Sequence, residues 1–269
     1  MASRFTDEMK RCIDAQEGEL SRQYAPLAFD AADVKSGRVE TNYKVVLIRL
    51  LAAHALQEKL SAAGYARALE TVADSQLRRT IKKNLAEERE HTRLVYRLLK
   101  ELGIEEAEAD RSMTLALRAP SFEAPCYFAE RAEGELDLIL ASMSLDTTGY
   151  IMISSNYRQS SYAPHSYASK AILEDEEEHD TFAATELMDA AKRFGTDKVN
   201  QGLREWVPRA ANVFGPPDSG FTVDCIRFGL KVQDNRQLSE LYLATLEQRV
   251  RYAGLQMPRL STSYPYTLA

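Results

Sequence analysis

Two glutamate–histidine pairs of equal spacing, Glu88–His91 in "EEREH" and Glu176–His179 in "EEEH", are the residues of this 269-residue chain best placed for metal chemistry. Side chains three apart share one face of a helix, so each pair offers a carboxylate and an imidazole to a common point. Such a mixed oxygen and nitrogen donor set suits iron or manganese. One match means little in a glutamate-rich sequence, and the run Glu174–Asp180 reads most simply as a solvated helix face. The duplication carries the argument: Glu58 precedes Glu88 by 30 residues, and Asp146 precedes Glu176 by the same 30.

Helices must position these six residues. Glycine (12) and proline (9) are scarce and clustered, and the stretches between them repeat apolar residues at the helical period. Five or six long helices and no strand are expected. The first runs from about residue 41 into the low sixties, with Leu47, Leu51, Glu58 and Ala62 on one stripe. A second opens at "ADSQLRR", where Asp74 or Ser75 would cap it, and ends at Gly103. After the proline-bounded "RAPSFEAP", a third reaches the mid-150s. "SSYAPHS" is a turn whose proline starts a fourth, which continues to about Phe194. "FGPPDSG" is another break, and a last helix covers about Val223 to Tyr252.

An antiparallel helix pair brings residues equidistant from its turn to the same height. Glu58 and Glu88 are centred on residue 73, beside the Asp74 cap; Asp146 and Glu176 are centred on residue 161, inside "SSYAPHS". Each hairpin therefore sets one carboxylate opposite one Glu-x-x-His, and two packed hairpins converge four carboxylates and two imidazoles. Ile81, Leu85, Val95 and Leu98 share the stripe of Glu88 and His91, while Ile172, Ala183 and Leu187 share that of Glu176 and His179. Glu87, Glu90, Glu177 and Glu178 fall on other faces. Carboxylates on an apolar stripe are costly unless paired or metal-bound. The donor pattern is that of ferritin-like di-metal bundles.

The expected fold is all-α: a ferritin-like four-helix bundle with additional C-terminal helices, in one domain. Residues 41–194 form the bundle, 195–269 the C-terminal helices and tail, and 1–40 are left unassigned. Glu58, Glu88, His91, Asp146, Glu176 and His179 are the expected ligands of two irons and the catalytic centre. Around them, His54 lies one turn before Glu58 as a supporting or merely hydrogen-bonded histidine, and Tyr150 is core filler or a cavity wall. Asp175 is a candidate to orient a ligand histidine. His165 is expected to be exposed in its turn.

Composition narrows the function. A net charge of −6 disfavours nucleic acid as the main partner. Cys12, Cys126 and Cys225 are far apart and show no CxxC spacing, so neither a disulfide framework nor a zinc site is expected. The first twenty residues lack the apolar core of a signal peptide, and no uninterrupted apolar run approaches membrane-spanning length. A soluble cytoplasmic protein, without membrane contact, is expected.

The chain resembles the catalytic α-subunit family of the phenylacetyl-CoA epoxidases, the ring-1,2-epoxidases of aerobic phenylacetate breakdown. The similarity runs from about Tyr43 to Leu260 and includes "YKVVLIRLLAAHALQE", "EEREH", "SYAPHSYASKAILEDEEEH", "VFGPPDS" and "GLQMPRL". The family also carries an aspartate on the third helix, matching Asp146 if one residue is inserted near "RQSS". The resemblance implies O2-dependent epoxidation or hydroxylation of an aryl- or acyl-CoA. It also implies electrons from a separate reductase, a structurally related partner subunit and an oligomeric complex. Arg158 and Lys170, flanking the "SYAPH" turn, are candidate contacts for the nucleotide phosphates. Asn84 stands where the family leads one to expect a lysine, and the N-terminal forty residues diverge. Two other readings are a di-iron tRNA-modifying hydroxylase and a ferritin-like iron-binding or non-catalytic protein. The acidic balance counts against the first, and the complete ligand set against a non-catalytic partner.

Overall fold

The computed structural model describes residues 28–269, so most of the unassigned N-terminal segment, and Cys12, lie outside it. Among the described residues there are ten α-helices and no strand, only isolated bridges at Phe29–Tyr162 and Leu260–Leu268. After a short α1 (Ala31–Ser36), the bundle is built from α2 (Thr41–Thr71), α3 (Ser75–Glu101), α6 (Gly134–Ser155) and α7 (Ala163–Phe194). Its elaborations are α4 (Glu106–Met113), α5 (Pro120–Arg131), α8 (Thr196–Ala211), α9 (Gly220–Arg227) and α10 (Asn235–Tyr252).

Both hairpins fold where the spacing places their turns. Asp74 caps α3, its carboxylate accepting from the backbone N–H groups of Gln76 and Leu77. Across this pair Glu58 faces His91 and Tyr65 faces Asn84, contacts that centre on the Asp74–Ser75 turn. In the second hairpin Thr147 meets Asp180 and Gly149 meets Glu176, centring on the start of α7 at Ala163. Pro164 occupies the first turn of α7, where its missing N–H costs nothing. Ile81, Leu85, Val95, Leu98, Ile172, Ala183 and Leu187 are all buried, as the stripes require.

Three expectations are corrected. The third helix is two helices: Ala132 and Glu133 are extended and Gly134 takes φ +78, a left-handed conformation that glycine adopts without a Cβ penalty. That lets α5 leave the bundle axis and pack on α2 and α8. The final helix is also divided. α9 ends at Arg227, Gly229 turns the chain at φ +68, and a capping box of Asp234 and Gln237 starts α10. Finally, Gly134–Gln159 is long and apolar enough to pass for a bilayer span, although no such run was expected. Its most apolar stretch is 83% buried inside the bundle, and it carries Asp146, so it is a core helix.

Candidate metal centre

Glu58 comes from α2, Glu88 and His91 from α3, and Glu176 from α7; ligand atoms from these four buried side chains all lie within 4.8 Å of one another. His91 Nδ1 is 3.5 Å from Glu58 Oε2, 3.8 Å from Glu176 Oε1 and 4.0 Å from Glu88 Oε2. His179 joins from the other side, with Nδ1 3.6 Å from Glu88 Oε1. Asp146 lines the same cavity but is outside the tight group, because Tyr65 donates its phenolic hydrogen to Asp146 Oδ2 at 2.8 Å. Close approach of Glu176 to α6 depends on Gly149: a Cβ there would stand 2.5 Å from Glu176 Oε2.

Outside the cluster, each histidine is held by the acidic residue that precedes the glutamate of the opposite pair. His91 Nε2 donates to Asp175 Oδ2 at 3.1 Å, and His179 Nε2 donates to Glu87 Oε2 at 3.0 Å. This pattern is the mark of antiparallel α3 and α7 related by an approximate two-fold. Asp175 is hydrogen-bonded to a candidate ligand histidine, as its expected orienting role requires. Glu87, expected on another face, is a half-buried partner of His179, because the contact of α3 with α7 extends beyond the apolar stripe. The signal was present as an acidic residue immediately before each Glu-x-x-His.

The remaining Nδ1 atoms of His91 and His179 are buried without a hydrogen-bond partner, as is Glu88 Oε2. Buried polar atoms are rarely left so. With each Nε2 bound to a carboxylate, each Nδ1 faces the cluster, where it would bind a metal once free of its proton, the arrangement that orients metal-ligating histidines. The residues fit a metal centre.

The electrostatics agree. Burial pushes Glu58 up, but the hydrogen bond from His54 and the charges of His54 and His91 outweigh it and hold its carboxyl well below the usual range. Burial raises Glu88 and Glu176 well above that range, reinforced in each case by the Glu58 charge. Burial also lifts Asp146 to about 7, against the hydrogen bond from Tyr65. Burial opposes protonation of His91, yet the facing carboxylates raise it to about 9. Without a metal the site thus holds protons that a metal would displace. Metal affinity should rise with pH, with a step near 7 as Asp146 ionises. For metal-free stability the sign is opposite: a carboxyl with a raised folded-state pKa contributes below its unfolded value, and that contribution is lost as pH rises through about 7. Cobalt titration and thermal unfolding between about pH 6 and about pH 8 should show these two opposed trends.

His54 Nε2 donates to Glu58 Oε1 at 2.8 Å, leaving His54 Nδ1 to accept from His165 Nε2 at 3.1 Å. His165 is therefore not exposed. The extended chain at Phe29 pairs with Ser161 and Ala163 beside the turn, and Tyr157 packs against both imidazoles. Burial, aided by His54, pushes His165 well below its ordinary value, so it stays neutral. Tyr150 is buried in the core. Arg158 is half-buried and donates to the Ser154 carbonyl at 2.6 Å, while Lys170 is exposed above the Tyr167 ring. Asn84 donates to Tyr65 Oη at 3.3 Å.

Replacing Asp175 by asparagine, or Glu87 by glutamine, should weaken metal binding about 10- to 100-fold with the fold intact. Cobalt affinity measured beside the thermal midpoint checks this. Unchanged affinity in both variants would show that the paired carboxylates do not tune the histidines.

A helical bundle with buried glutamates and histidines converging from its hairpins has the ferritin-like fold, with a donor set of the kind that metal-carboxylate proteins carry. The family model of the phenylacetic acid catabolic proteins matches residues 91–266, and the chain belongs to that family. No curated protein matches. Among solved structures, the chain is similar to "Protein 19 with aldehyde deformylating oxidase activity" from Synechococcus, with a TM-score of 0.61 and 14% identity. The match covers 81% of this chain and 93% of that one, and at this identity it speaks for the fold. Family, fold and donor set together support an iron-dependent oxygenase or oxidase.

Proposed function

We propose that this chain is the oxygen-activating subunit of a non-haem di-iron monooxygenase acting on an aryl- or acyl-CoA thioester. The observation that carries the metal assignment is the pair of buried, unpartnered Nδ1 atoms of His91 and His179, each ring braced by a carboxylate. Glu58, Glu88, His91, Glu176 and His179 would hold the metals, joined by Asp146 through the carboxylate oxygen that Tyr65 does not occupy. Bound iron supplies the reduction of O2 and the insertion of one oxygen atom into the substrate. The protein's own part is to hold six ligands, exclude water and shape the adjoining cavity.

That cavity is about 50 Å³, and its lining combines the carboxylates of Glu58, Glu88, Asp146 and Glu176 with an apolar wall that includes Leu145, Met152, Ile153 and Val213. The apolar wall suits an aryl or acyl group. A benzene ring needs a cavity of roughly 150 Å³, so substrate entry requires this wall to move. Met152, unbranched and flexible, is the side chain best suited to yield. In this reading the electrons come from a separate reductase, and a structurally related subunit completes an oligomeric complex. Steady turnover with NAD(P)H and this chain as the sole protein would contradict that part. The substrate class is tested by equilibrium binding of phenylacetyl-CoA, free phenylacetate and an unrelated acyl-CoA. Tightest binding of phenylacetyl-CoA is expected, and preference for the free acid would overturn the thioester assignment.

A further inference from the structure

The aromatic side chains beside the cluster are arranged as a line. Tyr65 is fully buried, its hydroxyl on Asp146 and its ring 6.2 Å from that of His179. Phe128 lies edge-on to Tyr65 at 5.3 Å, and Trp206, the sole tryptophan of the chain, lies 6.4 Å beyond Phe128. Tyr127 meets Trp206 at 5.2 Å and is half-buried, with the Arg209 guanidinium 4.5 Å above its ring at the protein surface. The close packing at the middle of this line depends on one residue. A Cβ at Gly64 would stand 2.2 Å from the Phe128 ring, so glycine is what lets Phe128 lie against α2 beside Tyr65.

Tyrosine and tryptophan are the side chains most readily oxidised by one electron to a radical, besides cysteine. Oxidation of a buried tyrosine needs a nearby base for its phenolic proton, and Tyr65 has one in Asp146 Oδ2 at 2.8 Å. A tryptophan cation radical needs a compensating negative charge, and Trp206 Nε1 donates to Asp137 Oδ1 at 3.4 Å. Electron tunnelling falls exponentially with distance, so a buried centre exchanges charge with the surface far faster through such intermediate stations than in one long jump.

We propose that Tyr65, Trp206 and Tyr127 form a one-electron route between the metal centre and the surface, by which oxidising equivalents formed without substrate leave the bundle. The purpose rests on the metal-centre reading above; the route itself rests on the rings. In the first step Tyr65 gives an electron to the oxidised centre and its phenolic proton to Asp146. Trp206 then supplies an electron to the Tyr65 radical, which recovers its proton from Asp146. Tyr127 next reduces the Trp206 cation radical and releases its phenolic proton to solvent. An external thiol finally gives Tyr127 a hydrogen atom and leaves as a thiyl radical. The net change is one electron from thiol to centre, with one proton released.

The test works with or without metal. A ruthenium photo-oxidant is attached through Glu130→Cys, on the exposed side of α5 near Tyr127, with Cys12 and Cys126 replaced by serine. After a flash, transient absorption and electron paramagnetic resonance should show, beside the Tyr127 radical, a second tyrosyl component that is absent in Tyr65→Phe. Trp206→Phe should abolish that Tyr65 signal, and Trp206→Tyr should restore part of it, with thermal unfolding confirming that each variant is folded. A Tyr65 radical of unchanged yield and rate in folded Trp206→Phe, or no Tyr65 radical in the parent, would overturn the route. Failure of iron binding would instead overturn the metal reading, and is measured separately on the same protein.

Discussion

Replacing Glu88 by glutamine will make the metal-free protein more stable and, at the same time, cost it its metal. Glu88 is 3% exposed, faces Glu58 and Glu176, and leaves Oε2 without a partner. Burial and those neighbouring charges raise its pKa well above the carboxylate range, so ionising it inside the fold is unfavourable. Glutamine keeps the shape and removes the charge. A gain of about 1–3 kcal/mol is expected in chelator at alkaline pH, shrinking as the pH falls and the parent carboxyl takes up its proton. Tight cobalt or iron binding should disappear, because an amide is a far poorer ligand than a carboxylate. Thermal unfolding and metal titration of one variant check both signs. A less stable variant that still binds metal like the parent would mean that Glu88 is a structural hydrogen-bonding group.

The second large effect lies outside the cluster. Arg249 Nη1 donates to Asp180 Oδ1 at 2.7 Å and to Thr147 Oγ1 at 2.6 Å, and Nη2 donates to Asp180 Oδ2 at 2.5 Å. Both charged groups are almost completely buried. The fork ties α10 to the neighbours of two candidate ligands, Thr147 beside Asp146 and Asp180 beside His179. Arg249→Met should cost about 3–5 kcal/mol, because it strands the Asp180 charge in the core. The double variant Arg249→Met with Asp180→Leu should recover much of that loss, since the stranded charge goes with its partner. Denaturant unfolding of the two variants separates these outcomes. Equal destabilisation by both would mean that packing, not the unpaired charge, sets the cost.

The parts of the site legible in the sequence are those governed by local periodicity. Glu58, Glu88, His91, Glu176 and His179 lie on apolar stripes of helices whose turns are marked by Asp74 and Pro164, so spacing alone brings them to one level. Long-range partners were not legible. Asp180 sits at the end of an acidic run that looks solvated, and its arginine is 69 residues away in a helix assigned no part in the site. Glu87 is hidden for a related reason: a helical wheel shows which face is apolar, not how far the neighbouring helix overhangs it. The turn of His165 is polar and reads as exposed, whereas its ring points inward against Tyr157 and against His54, 111 residues away on α2. The break at Gly134 was visible in "RAEGELD", but periodicity continues on both sides and masks it.

In the proposed centre these helices hold two metal ions through Glu58, Glu88, His91, Asp146, Glu176 and His179. Anaerobic titration of the metal-free protein with Fe(II), followed by Mössbauer spectroscopy, tests it most directly. Saturation near two equivalents per chain is expected, with a lower count in both His91→Ala and His179→Ala. Saturation at many equivalents, as in a storage protein, or parent-like binding by both variants would contradict it.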